Sequence, residues 1–77
     1  MDNLIRTRLD SSSIASVTYD PSDGVLEVHF RRTGHCYRYF DVPQDVYKTF
    51  MEAESKGAFL NQAIKPTFEY IRVDIPP

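Results

Sequence analysis

The sequence predicts an α+β domain: a three-stranded antiparallel meander, open to extension by a terminal strand, with two short helices packed on one face. Three observations predict it. Between Ile14 and Asp41 apolar and polar residues alternate with the period of two that half-buried strands require, and turn chemistry interrupts the alternation twice. After Pro43 the apolar spacing changes to that of a helix. The registers imposed by the two turns also agree, placing large apolar side chains of all three strands on one face, an agreement that a one-residue slip would destroy.

Met1 to Ser13 is a lead-in, with Leu4, Ile5 and Leu9 available to anchor a short strand. Ile14 to Asp20 is the first strand, with Val17 and Tyr19 on one face. It ends at Asp20-Pro21-Ser22-Asp23-Gly24, where proline presets φ, aspartate bonds nearby backbone and glycine accepts positive φ. Val25 to Arg31 is the second strand, alternating Leu26, Val28 and Phe30 with Glu27, His29 and Arg31. With Pro21–Gly24 as the loop, Tyr19 faces Leu26 and Val17 faces Val28. His35 to Asp41 is the third strand. A two-residue loop at Thr33-Gly34 places Phe30 opposite Tyr37, Val28 opposite Tyr39, His29 opposite Arg38 and Arg31 opposite Cys36. Ile14, Val25 and Phe40 fall on the other face.

Pro43 opens the first helix, where a missing N–H costs nothing, and Asp45 lies near the positive end of its dipole. Val46, Phe50 and Ala53, widened by Tyr47 and Met51, form its apolar stripe. Lys48 and Glu52 lie on the exposed side. Ser55 caps a second helix whose apolar side is Phe59, Leu60, Ala63 and Ile64, and Pro66 stops it. Phe68 to Ile75, with Ile71, Val73 and Ile75 in phase, forms the terminal strand, and Pro76-Pro77 ends pairing. The expected core is Val17, Tyr19, Leu26, Val28, Phe30, Tyr37, Tyr39, Val46, Phe50, Phe59, Leu60 and Ile64.

With 77 residues, the chain has room for one core. Ten aromatic residues help to fill it, since each ring buries about 150–250 Å². Cys36 is the only cysteine, so an intrachain disulfide is excluded and a reducing compartment is expected. No apolar run reaches the roughly 18 residues of a membrane span, and the N-terminus lacks a signal-peptide pattern. A cytoplasmic location without membrane contact follows as the expectation. The net charge of −2 means that any nucleic-acid surface must be a local basic patch.

Ser12-Ser13, Tyr19-Asp20-Pro21, Tyr37-Arg38-Tyr39-Phe40, Val42-Pro43, Val46-Tyr47, Ser55-Lys56-Gly57-Ala58-Phe59-Leu60-Asn61 and Ile64 occur in an order that resembles the KTSC domain family. The family is named after the C-terminus of some lysyl-tRNA synthetases and occurs alone in small bacterial and phage proteins. The resemblance covers residues 11–70, leaving residues 1–13 as the lead-in and 71–77 as a tail or edge strand. It implies the fold, a Tyr-x-Tyr motif at Tyr37 and Tyr39, and RNA binding as the suspected role. It brings no reaction. Tyr37, Tyr39, Pro43, Ser55, Gly57, Phe59 and Asn61 are the motif residues, and they read as structural.

The open sheet face carries the leading candidates for phosphate contact: His29, Arg31, Arg32, His35 and Arg38, with Glu27 and Thr18 beside them. Its bland reading is a solvated face. Tyr37 and Tyr39 are either stacking platforms for bases or core rings facing the helices, and the register favours the core. Lys56 and Lys65 are secondary anion candidates near the second helix, where Gly57 either exposes backbone N–H groups or permits close helix–helix packing. Cys36 has only His29 or His35 as a base and no third group to orient one, so no enzyme is expected. His29, His35 and Cys36 lack a paired ligand spacing, so neither a metal nor another cofactor is expected. The leading function is therefore a non-catalytic accessory domain that binds RNA or tRNA. The alternative is a protein-interaction module regulating a bacterial or phage partner through Ile14, Val25 and Phe40. A homodimer burying that face is a third reading.

Overall fold

The computed structural model describes residues 5–9 and 11–73. Its elements are β1 (Ile5–Arg8), β2 (Ile14–Asp20), β3 (Val25–Phe30), β4 (Cys36–Tyr39), α1 (Gln44–Glu52), α2 (Lys56–Phe59), continued by a π-helical stretch Leu60–Ile64, and β5 (Tyr70–Val73). The α+β class stands, but the sheet has five antiparallel strands in the order β1-β2-β3-β4-β5, not three. The lead-in supplies one edge strand and the terminal segment the other. Leu4 and Ile75, both assigned to these strands from sequence, lie outside the described residues.

The β2–β3 hairpin has the expected register, with Tyr19 opposite Leu26 and Val17 opposite Val28. Asp20 builds its turn: Oδ1 accepts from the Ser22 N–H at 3.0 Å and the Ser22 hydroxyl at 2.6 Å. Further along, a bulge between Ile14 and Ser16 shifts the register. That extra residue turns Ile14 into the core, where it is fully buried, and corrects its placement on the open face.

The β3–β4 register is displaced by two residues from the expected one. Leu26 faces Tyr39, Glu27 faces Arg38, Val28 faces Tyr37 and His29 faces Cys36. Arg31 to Gly34 form a longer loop, closed by the Phe30 N–H donating to the His35 carbonyl at 2.9 Å and the Gly34 N–H donating to the Phe30 carbonyl at 3.1 Å. A two-residue loop of the preferred hairpin type needs positive φ at both residues, which β-branched Thr33 resists. The longer loop places Gly34 at φ +74° and leaves no other loop residue at positive φ. A shift of two preserves the side-chain parity of the paired β3 and β4 residues while changing every partner.

Both helical segments pack on one face, over Val17, Tyr19, Leu26, Val28 and Tyr39, all buried. Phe50 is the one fully buried side chain of α1 and stacks on Phe59 with ring centroids 5.9 Å apart. Phe30, Tyr37, Val46 and Phe59, expected in the core, are partly buried against it. Leu9, Ile14 and Val42 join it. Pro43 is the N-cap of α1 and precedes its first turn instead of occupying it. Ser55 caps α2 as expected, its Oγ accepting from the Ala58 N–H at 3.2 Å.

Val42 ties three parts of the fold together. Its carbonyl accepts from the Tyr19 hydroxyl at 2.7 Å, and its N–H donates to the Gly24 carbonyl at 2.8 Å. Gly24 has φ +71°, and a Cβ there would lie 3.2 Å from the Val42 oxygen. Gly34 has a similar φ but open space around it. Gly34→Ala is therefore expected to cost about 1–2 kcal/mol from backbone conformation alone. Gly24→Ala should cost at least about 1 kcal/mol more, because the backbone of Val42 must also move. Paired urea titrations check this, and equal losses would remove the Val42 contact from the account.

Candidate functional site

The five expected phosphate ligands do not form one patch. His29 and Arg38 project from the open face, and Glu27 holds both. The Arg38 guanidinium donates to Glu27 Oε2 through Nη2 at 2.8 Å and Nε at 3.0 Å, while His29 Nε2 lies 3.2 Å from Oε1. Burial would raise the Glu27 carboxyl, but hydrogen bonds from Arg38, Cys36 and His29, with the Arg38 charge, hold it below the usual carboxylate range. Arg31 leaves this face. Its guanidinium donates to the Ser11 carbonyl at 3.0 Å and the Leu9 carbonyl at 3.0 Å, bracing the β1–β2 connection. The recess on the open face is also bordered by Asp20 and Asp23 as well as Glu27, against Arg6 and Arg38. Carboxylates thus interrupt the expected basic patch.

Arg32 and His35 lie on the other side, with Lys65. Together with Ser13, Phe30, Thr33 and Tyr37 they line a groove of about 280 Å³ where the β3–β4 hairpin passes the end of the helical layer. The pairing places His35 beside Phe30 and Tyr37 on the helix side of the sheet, which corrects the assignment of Arg32 and His35 to the open face. Phe30 and Tyr37 meet edge to face at 5.5 Å. Lys65 Nζ lies 5.6 Å from the Phe30 ring centroid. Tyr70, 52% exposed, continues the aromatic row 5.5 Å from Tyr37. Among the described residues, no carboxylate lines this groove.

Lys56 does not join Lys65. It donates to the Ala53 carbonyl at 2.6 Å, closing the end of α1. Gly57 admits Ser13, whose Oγ would lie 3.3 Å from an added Cβ, so the close neighbour is the β1–β2 connection and not the first helix. Of the residues behind the protein-interaction reading, Ile14 is core, whereas Val25 and Phe40 do border the open face.

Cys36 is fully buried on the open-face side, opposite His29. Its Sγ lies 3.6 Å from His29 Nε2, the same nitrogen that meets Glu27. In a nucleophilic relay the acid holds one ring nitrogen and the nucleophile the other. Here both approach one nitrogen. Burial, reinforced by the Glu27 charge, pushes the thiol up to about 12, so the nucleophilic thiolate is disfavoured at neutral pH.

The model of the KTSC domain matches residues 10–68. This chain belongs to the KTSC domain family. It is 44% identical over 70 residues to an uncharacterised protein of Stutzerimonas stutzeri, covering 90% of this chain and 97% of that one. A Tsukamurella paurometabola protein is 36% identical over 63 residues, covering 82% and 92%. The crystal structure of a KTSC domain protein from Yersinia pestis superposes with a TM-score of 0.85 at 38% identity, covering 92% of this chain and 99% of that one. No helix among the described residues is long and apolar enough to cross a membrane.

In this KTSC domain the two tyrosines of the Tyr-x-Tyr motif have different surroundings. Tyr39 is fully buried, whereas Tyr37 lines the groove. Pro43, Ser55, Gly57 and Phe59 cap or pack, while Asn61 is exposed. Sequence reasoning missed Glu27 as the centre of the open-face network, Phe30 as a groove aromatic and Tyr70 as the exposed ring beside Tyr37. The parity of Glu27 and His29 on β3 was a readable signal for the first. Placing Tyr70 required the position of β5.

Proposed function

We propose that this KTSC domain binds single-stranded RNA, or an unpaired stretch of a structured RNA such as tRNA, in the groove between the β3–β4 hairpin and Lys65. The observation that carries the reading is the composition of the groove: aromatic Phe30 and Tyr37, basic Arg32 and Lys65, the His35 imidazole, and no carboxylate among the described residues. Unpaired bases stack on aromatic faces, while cations along the groove follow the phosphates. A chain of net charge −2 can do this only where its basic groups escape their own acids, and the open face fails that condition through Glu27.

Fluorescence anisotropy with labelled single-stranded RNA and tRNA, across a salt series, tests the proposal. Salt-sensitive binding is expected. Arg32→Ala/Lys65→Ala should flatten the slope of log affinity against log salt by about 1.4, from about 0.7 per phosphate contact on a single strand. Arg6→Ala on the opposite face should leave affinity unchanged. Absence of binding at micromolar protein and low salt, or binding abolished by Arg6→Ala but not by the double variant, would overturn the proposal.

A further inference from the structure

The open sheet face gathers three chemically different donors that nothing in the groove reading uses. Glu27 and His29 are two residues apart on β3 and share a face, and strand pairing sets Cys36 directly opposite His29. One carboxylate oxygen, one imidazole nitrogen and one sulfur lie within 4.8 Å of one another. The arrangement is convergent. Sγ is 3.6 Å and Oε1 3.2 Å from the same Nε2. A tetrahedral zinc ion with bonds of about 2.3 Å to sulfur and about 2.0–2.1 Å to nitrogen and oxygen separates its S and N donors by about 3.5 Å and its N and O donors by about 3.3 Å.

We propose that Glu27, His29 and Cys36 bind one divalent ion of the zinc type, through Oε1, Nε2 and Sγ. Sulfur, imidazole and a single carboxylate suit zinc better than calcium or magnesium, which take oxygen donors. Arg38 already holds Glu27 Oε2 through two hydrogen bonds, so it presents Oε1 as a single, oriented ligand. Cys36 forms the buried floor, and the His29 and Glu27 side chains, 28% and 23% exposed, give the ion a route in. Binding displaces the thiol proton to solvent and makes the sulfur a thiolate ligand. Three protein ligands leave the fourth position for water or another donor. Opposite Glu27 on β2, the Thr18 hydroxyl is buried without a partner among the described residues, adding one unspent polar group beside the donors.

The test titrates chelator-treated protein with cobalt(II), whose thiolate complexes absorb by charge transfer, and with zinc(II) by calorimetry. One ion per chain is expected, together with a thiolate-to-cobalt band and a raised Tm in zinc. Cys36→Ala should abolish the band. Because Cys36 is buried, His29→Gln supplies a milder variant, expected to weaken zinc by more than about 100-fold, since even outer-shell changes cost about 10–100-fold. His35→Gln, on the groove side, should bind as the parent does. A titration with no thiolate band, or a band and affinity that survive His29→Gln, would overturn the proposal. It does not depend on RNA binding, since the groove lies on the other side of the sheet.

Discussion

Phe50→Ala is expected to remove about 3–5 kcal/mol and leave a large fraction of the chain unfolded. A domain of 77 residues has only about 4–12 kcal/mol in total, at about 0.05–0.15 kcal/mol per residue. Phe50 has zero exposure, and no other side chain of α1 is fully buried. Val46, Tyr47 and Met51 only lean on the core. Truncation thus removes the anchor of the helix and the stacking partner of Phe59 together, and nothing nearby can collapse into the space without moving α1. Urea denaturation checks this through a lower midpoint at unchanged slope. Phe50→Leu should recover much of the loss, because it restores most of the buried volume. A Phe50→Ala midpoint matching the parent would mean that α1 contributes little to the core.

The fold was legible where side-chain parity and turn chemistry spoke together. Asp20 to Gly24 offers one economical turn, so the β2–β3 register followed directly. Thr33-Gly34 offered a shorter turn than the chain uses. Because the displacement is two residues, the apolar pattern could not detect it. The consequence fell on the site: Cys36 was paired with Arg31 instead of His29, and Arg38 with His29 instead of Glu27. The bulge that turns Ile14 inward is likewise invisible to strict alternation. β1 reads Ile-Arg-Thr-Arg, too polar to announce a strand, and is secured by pairing with β2. Tyr37 looked like core because its parity matches Tyr39. Parity assigns a side of the sheet but does not say how far the helical layer extends over it.

Stability is also expected to fall steeply between about pH 9 and about 12, for reasons visible in two buried side chains. Burial, with Glu27 alongside, pushes the Cys36 thiol from 9.0 up to about 12. Burial, with Tyr70 and Tyr37 nearby, pushes Tyr39 from 10.0 up to about 12. In both cases the folded value is raised, so the unfolded chain loses its proton first. The stabilisation is complete below the unfolded values and is lost as pH climbs toward the folded ones. Each unit above the unfolded value removes about 1.4 kcal/mol per group. By about pH 10.5 the thiol alone removes about 2 kcal/mol, a large share of the stability of a small domain. Urea midpoints at about pH 8 and about pH 10.5, in chelator, measure the loss. Cys36→Ala should flatten the decline most. Tyr39→Phe should flatten it too, and it should cost little at neutral pH, because the Tyr39 hydroxyl is buried without a hydrogen-bond partner among the described residues. A parent protein equally stable at both pH values would contradict the burial of both groups. A decline that persists unchanged in both variants would instead assign it to other groups, of which Tyr19, also raised by burial, is the first to examine.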